Sequence, residues 1–444
     1  EAERRALAAA IMIPDAWPEV APLWDRELFS DPLCRRIAEA VDAIVEEDGI
    51  PSPTRVLRKL GGAQAAANDL LLMANDVLSA SEAVGLFKHL RGLYLRRNAD
   101  QALRAAIQAL HADPDLSAEE AVARAEQIML SAFRRAEAAK VHDWDEVQAE
   151  TYQLWVERVS QGAESGIPTG LTALNRATRG LRKQHLIIVA GRPSMGKSAI
   201  VGQMIRWQAR VRRVRSLVFS LEQTRHEWVE RAFWHEAGIN AEDWETPGDR
   251  EPEIRDKVAR AMSSLQGLPI RIVDKRGLTV QEICMIARAE KLHYPDLQVV
   301  VVDHLQLIRP HRQDSYVRVL GEMVKELRNL AGDLDVAMVV LSQLNRGVES
   351  RDNKRPLLSD LRDSGEIEQD ADQVIGIYRD DYYYPQRAED DGLKGFTEII
   401  TLKGRQTGAG RTALVRFIPG QTAWEDLPES EVLRYLKLRG REMR

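Results

Sequence analysis

Hydrophobic and polar positions follow two different rhythms along this chain. Over residues 1–139 apolar side chains recur at helical spacing among alanine, leucine and arginine, with few β-branched runs, which predicts helices throughout. Pro51-Ser-Pro53 interrupts the pattern; Thr54 is placed to cap a segment reaching Leu60, where Gly61-Gly62 stops it. Ser117 followed by Glu120 has capping-box spacing and predicts a helix running toward Ala139. Further on, Tyr152, Trp155, Val156 and Val159 fall at i, i+3, i+4 and i+7, so a short helix carries one apolar stripe before Gly162, Gly166, Pro168 and Gly170 break it. That segment reads as a tether bearing a docking helix, and the spacing serves equally well for a helix packed on its own domain.

From Leu181 onward apolar runs alternate with helical segments. Strands are predicted over 185–190, 216–220, 269–273, 298–302, 337–341, 374–378, 398–402 and 412–418, the last two forming a hairpin closed near Gly408-Ala-Gly410. Runs such as 299–302, apolar at every position, suit parallel strands covered on both faces. The expected organisation is an all-α domain over 1–140, a linker with a docking helix over 141–170, and an α/β domain over 171–444.

Composition changes this picture little. A chain of 444 residues, 44% hydrophobic, can bury more than one core. The two cysteines, Cys34 and Cys284, are too distant in sequence for a CxxC pattern, which argues against a disulfide framework or a zinc site. No apolar run approaches bilayer length and no signal segment opens the chain, so a cytoplasmic protein with no membrane partner is expected. The sequence opens at Glu1 without methionine, which points to a short leading segment. A net charge of -6 lacks the basic surplus of many nucleic-acid binders, although a channel that grips one strand needs only local charge.

The chemistry concentrates after the first predicted strand. Gly191-Arg192-Pro193-Ser194-Met195-Gly196-Lys197-Ser198 is a full GxxxxGK[ST] between a strand and a helix predicted over 199–210. Backbone N–H groups of such a loop close around phosphate oxygens, and the helix N-terminus adds partial positive charge. Lys197 is expected to reach the β- and γ-phosphates and Ser198 to bind Mg2+, so ATP or GTP is the implied cofactor. Asp303, ending the run 297–302, suits a second metal-side carboxylate or else a strand-ending turn. Glu222, after 216–220, is a candidate to polarise the lytic water or a carboxylate favoured at a helix start. Gln343, after 337–341, could sense the γ-phosphate or be a solvated amide. Lys403 and Arg405, near a flexible turn, could enter a neighbour's nucleotide site or be a solvated basic turn.

Taken in order, these motifs resemble the DnaB family of replicative helicases. Gly166-Ile-Pro-Thr-Gly170, Leu186-Ile-Ile-Val-Ala-Gly-Arg-Pro193, Phe219-Ser-Leu-Glu222, Val302-Asp303-His-Leu-Gln306 and Ser342-Gln343-Leu-Asn-Arg346 carry the resemblance. The most specific string is Ser359-Asp-Leu-Arg362-Asp363-Ser-Gly365-Glu-Ile-Glu-Gln-Asp-Ala-Asp372. The resemblance implies a RecA-like P-loop NTPase domain, a mostly parallel twisted sheet with helices on both faces, preceded by an all-α N-terminal collar and a linker helix. It implies ATP and Mg2+ as cofactors, a homohexameric ring, and 5′ to 3′ translocation on single-stranded DNA with duplex unwinding. Lys197, Ser198, Asp303, Glu222 and Gln343 then take the roles just given, Arg231 lies near the nucleotide, and Lys403 and Arg405 act in trans. Arg362, Asp363 and Gly365 match the loop that holds the DNA backbone, and primase and a helicase loader are the implied partners. Asp363 stands where the family usually has glutamate, Gln223 where methionine is common, and Gly404 where glutamine is frequent.

Two other readings compete. A RecA-type ring or filament ATPase that does not unwind is disfavoured by the 362–372 string, and a non-catalytic scaffold by the intact Lys197, Asp303, Glu222 and Arg405.

Overall fold

A computed structural model describes residues 2–47, 49–60, 80–111, 121, 124–125, 128–129, 143–160, 166–310, 316–361, 365–405 and 407–439. The chain forms two compact units, Glu1–Gln153 and Leu154–Arg444.

Among the described residues the first unit is helical, as the spacing predicts. Its core gathers one face each of the helices Ala2–Met12, Pro32–Val45 and Ala80–His111, with Leu7, Ile11, Ile37, Val41, Phe87 and Leu90 fully or nearly fully buried. Trp24 and Phe29 pack on Phe87 at ring separations of 5.7 and 6.4 Å. The helix Pro32–Val45 starts where it does because the Asp31 carboxylate accepts from the Leu33 and Cys34 N–H groups and Pro32 occupies the first helical position, where no amide hydrogen is needed. The same proline logic corrects the cap expected at Thr54. The helix is Pro53–Lys59, Ser52 takes the capping position, and Thr54 lies inside the first turn. The capping box expected at Ser117 and Glu120 lies outside the described residues. In the helix Trp144–Ser160 the apolar stripe is solvent-facing, with Tyr152, Trp155 and Val159 each more than half exposed.

The second unit is a mixed α/β domain. Its strands are β1 (Leu186–Gly191), β2 (Arg215–Ser220), β3 (Ile270–Val273), β4 (Leu297–Asp303), β5 (Ala337–Gln343), β6 (Gln373–Arg379), β7 (Phe396–Gly404), β8 (Thr412–Ile418) and β9 (Ala423–Asp426). They form one nine-stranded sheet in the order β3-β2-β4-β5-β1-β6-β7-β8-β9. Pairing is parallel from β3 to β6 and antiparallel from β6 to β9. The predicted strands are all present: β2, β4, β5 and β6 are a residue or two longer than expected, β7 four longer, β3 one shorter, and β1 is shifted by one; β9 was not predicted.

Alternate residues of the parallel strands feed two separate cores, one on each face. Leu186, Ile188, Val300, Val302, Met338 and Val340 join the first, while Ile187, Val189, Val299, Val301, Val339 and Leu341 join the second. Register then decides the site. Gly191 pairs with Gln343 and Ser220 with Asp303, so the carboxyl ends of β1, β5, β2 and β4 open on one edge. Cys34 and Cys284 are both buried and form no disulfide, in keeping with core roles.

Within the antiparallel part, Glu398 is almost completely buried and fully engaged. Arg355 donates to both its carboxylate oxygens, at 2.8 and 2.7 Å, and the Tyr435 hydroxyl donates to Oε1 at 2.5 Å. This bidentate pair raises the Arg355 guanidinium even though burial opposes its charge, and burial beside Glu398 drives the Tyr435 phenol upward. Removing one partner leaves the other charge desolvated, so Glu398→Ala should lower unfolding stability by about 3–5 kcal/mol, read as a fall in the urea midpoint. An unchanged midpoint would show that the network contributes nothing.

Candidate nucleotide site

The glycine-rich loop leaves β1 at Gly191 and enters the helix Lys197–Arg212, two residues earlier than the predicted start. Gly196 sits at φ +90, and a Cβ there would come within 2.7 Å of Trp424 and 3.1 Å of Phe417. Both the conformation and the packing therefore demand glycine. Ser194 also takes a left-handed φ of 63, and the Arg379 guanidinium holds its carbonyl at 3.1 Å.

A cavity of about 390 Å3 opens above this loop, lined by Pro193, Ser194, Gly196, Lys197 and Ser198 and by Glu222, Arg231, Asp303 and Gln343. Its size suits a small phosphorylated ligand. Lys197 bridges the loop from within: its ammonium donates to the carbonyls of Gly191 at 3.0 Å and Arg192 at 3.1 Å. Burial holds that ammonium down to about 8, with Asp303 and Glu222 pulling the other way.

Asp303 is only 2% exposed. Burial raises its carboxyl above the ordinary range, while the Ser198 hydroxyl bonds to it and pulls it back. Its Oδ2 has no hydrogen-bond partner among the described residues. Glu222 lies beside it because the Leu221 N–H donates to the Asp303 carbonyl at 2.8 Å. The Glu222 carboxylate faces His304 Nδ1 at 3.2 Å and keeps most of its side chain open to solvent. The neighbouring helix Arg225–Ala237 is capped by Thr224 and Glu227, so Glu222 is not its capping carboxylate. Gln343 is held by Gln306, whose Oε1 accepts from the Gln343 N–H at 3.2 Å and whose Nε2 donates to Ser342 Oγ at 2.9 Å.

Three residues of the glycine-rich motif point elsewhere. Arg192 turns beneath the loop to Glu349 at 2.7 Å and the Leu344 carbonyl at 2.9 Å. The Met195 side chain is buried in the core, and Gly191 pairs with Gln343 at the end of β1, so none of the three brings a side chain to the cavity.

The sequence profile of the DnaB-like helicase C terminal domain matches residues 166–426, more than half of the chain. The chain belongs to the DnaB-like helicase family. This DnaB-like chain is 36% identical over 300 residues to replicative DNA helicase DnaC of Bacillus subtilis (strain 168), covering 67% of this chain and 64% of that protein. It is 39% identical over 255 residues to replicative DNA helicase DnaB of Geobacillus stearothermophilus, covering 57% and 55%. The matches thus span less than two thirds of either relative's length. Among solved structures, one described as a DnaB-like replicative helicase and its interactions with primase aligns with TM-score 0.69 and 26% identity over 96% of this chain and 99% of that one. A second, described as an ATPase domain, aligns with TM-score 0.60 and 32% identity over 65% and 100%.

In this DnaB-like chain the two hairpin cations stand away from the cavity. Lys403, at the end of β7, donates to the Glu368 carbonyl and, at 3.0 Å, to the Gln369 carbonyl. Arg405 contacts the Gln369 carbonyl at 3.4 Å and pairs with the buried Asp372 at 3.3 Å. Both therefore rest on the short helix Gly365–Asp370, which Gly365 opens. Arg362 and Asp363 lie outside the described residues.

Sequence reasoning missed His304 and Gln306 as site residues. Both sit in the string that follows Asp303, and their partners come from neighbouring strands. Glu222, Asp303 and His304 are also the group, among the described residues, whose ligand atoms lie within 4.8 Å of one another. No helix among them is long and apolar enough to cross a membrane.

Proposed function

We propose that this chain is an ATP-driven replicative DNA helicase with a RecA-like P-loop domain, working as a homohexameric ring that moves 5′ to 3′ on single-stranded DNA. The observation that carries the reading is the convergence of the loop 191–198, Asp303, Glu222 and Gln343 on one cavity, while Lys403 and Arg405 stand outside it. Phosphoryl transfer to water needs charge-stabilising cations as well as a positioned water, and a neighbour's hairpin would add its pair to Lys197.

The donor set fits a magnesium nucleotide. The Ser198 hydroxyl and the unpartnered Asp303 oxygen are the hard oxygen donors Mg2+ accepts, together with phosphate oxygens and water. The bound ion would offset charge on the β- and γ-phosphates. Lys197 then exchanges its two loop carbonyls for phosphate oxygens, Glu222 orients the attacking water and accepts its proton, and the Gln343 amide follows the γ-phosphate. Arg231 lines the same cavity and lies near the nucleotide. Arg362, Asp363 and Gly365 are assigned to the DNA backbone, the helical unit to the collar and to primase, and ring placement to a loader.

A forked duplex with a 5′ single-stranded tail, ATP and Mg2+ is the test. Strand displacement that requires the 5′ tail is expected. DNA-stimulated hydrolysis without displacement, even with a loader present, would instead make this a ring ATPase that does not unwind.

A further inference from the structure

The residues on either side of Glu222 are tied together by a hydrogen-bond chain that begins on another element. Ser220 ends β2 and is 1% exposed; its hydroxyl donates to the Gln223 carbonyl at 2.6 Å, closing a short loop around Glu222. The indole N–H of Trp228 donates to that same hydroxyl at 2.9 Å. A serine hydroxyl has one hydrogen and two acceptor lone pairs. With the indole on its acceptor side, the hydroxyl hydrogen is left to point at Gln223. Arg276 holds the Glu222 carbonyl at 3.3 Å, and His304 faces the carboxylate.

We infer that Trp228 is a positioning residue for Glu222, acting through the Ser220 hydroxyl to fix the turn that presents the carboxylate to the lytic water. The inference rests on the proposed role of Glu222. Trp228 does not itself line the cavity that Glu222 faces, although it borders a small pocket with Gln223 and Arg231. It is 6% exposed on the helix Arg225–Ala237, and its ring forms part of an apolar cavity of about 340 Å3 with Ile205, Phe233, Met262 and Leu268. Phenylalanine would keep an aromatic ring at this buried position, at some cost in packing, but would lose the nitrogen. The nitrogen is what reaches the turn, and a displacement of about 1 Å in a catalytic group is enough to cost up to about a hundredfold in rate.

The experiment compares Trp228→Phe, Ser220→Ala and the double variant in steady-state ATP hydrolysis by the full chain. Each single variant should lower kcat about tenfold with KM for ATP within about twofold, because a geometry needed only for the chemical step is lost. The double variant should fall no further, since both changes cut one chain of bonds. In a Glu222→Ala background Trp228→Phe should change nothing. Normal kcat in both single variants, additive losses, or an equal loss from Trp228→Phe without Glu222 would each overturn the inference. A Glu222→Ala variant that hydrolyses at the normal rate would overturn the underlying reading itself, so the two failures are told apart.

Discussion

Replacing Glu222 by alanine should lower steady-state ATP turnover by about 10²- to 10⁴-fold while ATP still binds, the range expected for losing a positioned general base. The geometry makes this the sharpest test of the hydrolytic reading. Asp303 is 2% exposed, and burial works against its charged form, whereas more than half of the Glu222 side chain is exposed at the cavity wall. Phosphate release and equilibrium binding of labelled nucleotide measure the two quantities separately. Near-normal release would remove Glu222 from the mechanism.

Arg405→Ala should cost still more, about 10³- to 10⁵-fold in turnover, if its guanidinium completes a neighbour's site. The within-chain position of Arg405, paired with Asp372 and away from the cavity, predicts a rescue that a local role does not. Subunits carrying Arg405→Ala keep an intact cavity, and subunits carrying Lys197→Ala keep an intact arginine. Mixed assemblies should therefore recover activity that neither variant has alone. No recovery in assemblies whose native mass shows both subunits would place Arg405 in a purely local role.

What could be read from the chain depended on how local each signal is. The loop 191–198 is legible because its glycines, lysine and serine fall at fixed spacing within one short segment, and β4 and β5 because burial on both faces leaves an unbroken apolar run. The motif prescribes the path of the backbone, however, and not where side chains turn; hence nothing in the sequence shows that the Arg192 and Met195 side chains face away from the cavity. Pairings across strands were hidden for a different reason. His304 meets Glu222, and Gln306 meets Gln343, only because β2, β4 and β5 are neighbours, an order that does not follow the chain. The exposed stripe of the helix Trp144–Ser160 was legible as periodicity, since spacing records a face without naming what it meets. The strand β9 escaped because four residues with two acidic ones, Ala-Trp-Glu-Asp, present no apolar alternation long enough to register.

That overlooked strand bears on how the domain is born. Trp424 packs under Gly196, and the Asp426 carboxylate accepts from the Thr172 and Ala173 N–H groups, fastening the last strand to the helix Thr172–Thr178 that opens the domain. A ribosome delivers Gly196 long before Trp424, so a nascent chain carries the full phosphate motif with nothing yet beneath it. Nucleotide affinity should consequently appear only once synthesis has passed Trp424, well after the motif itself has been made.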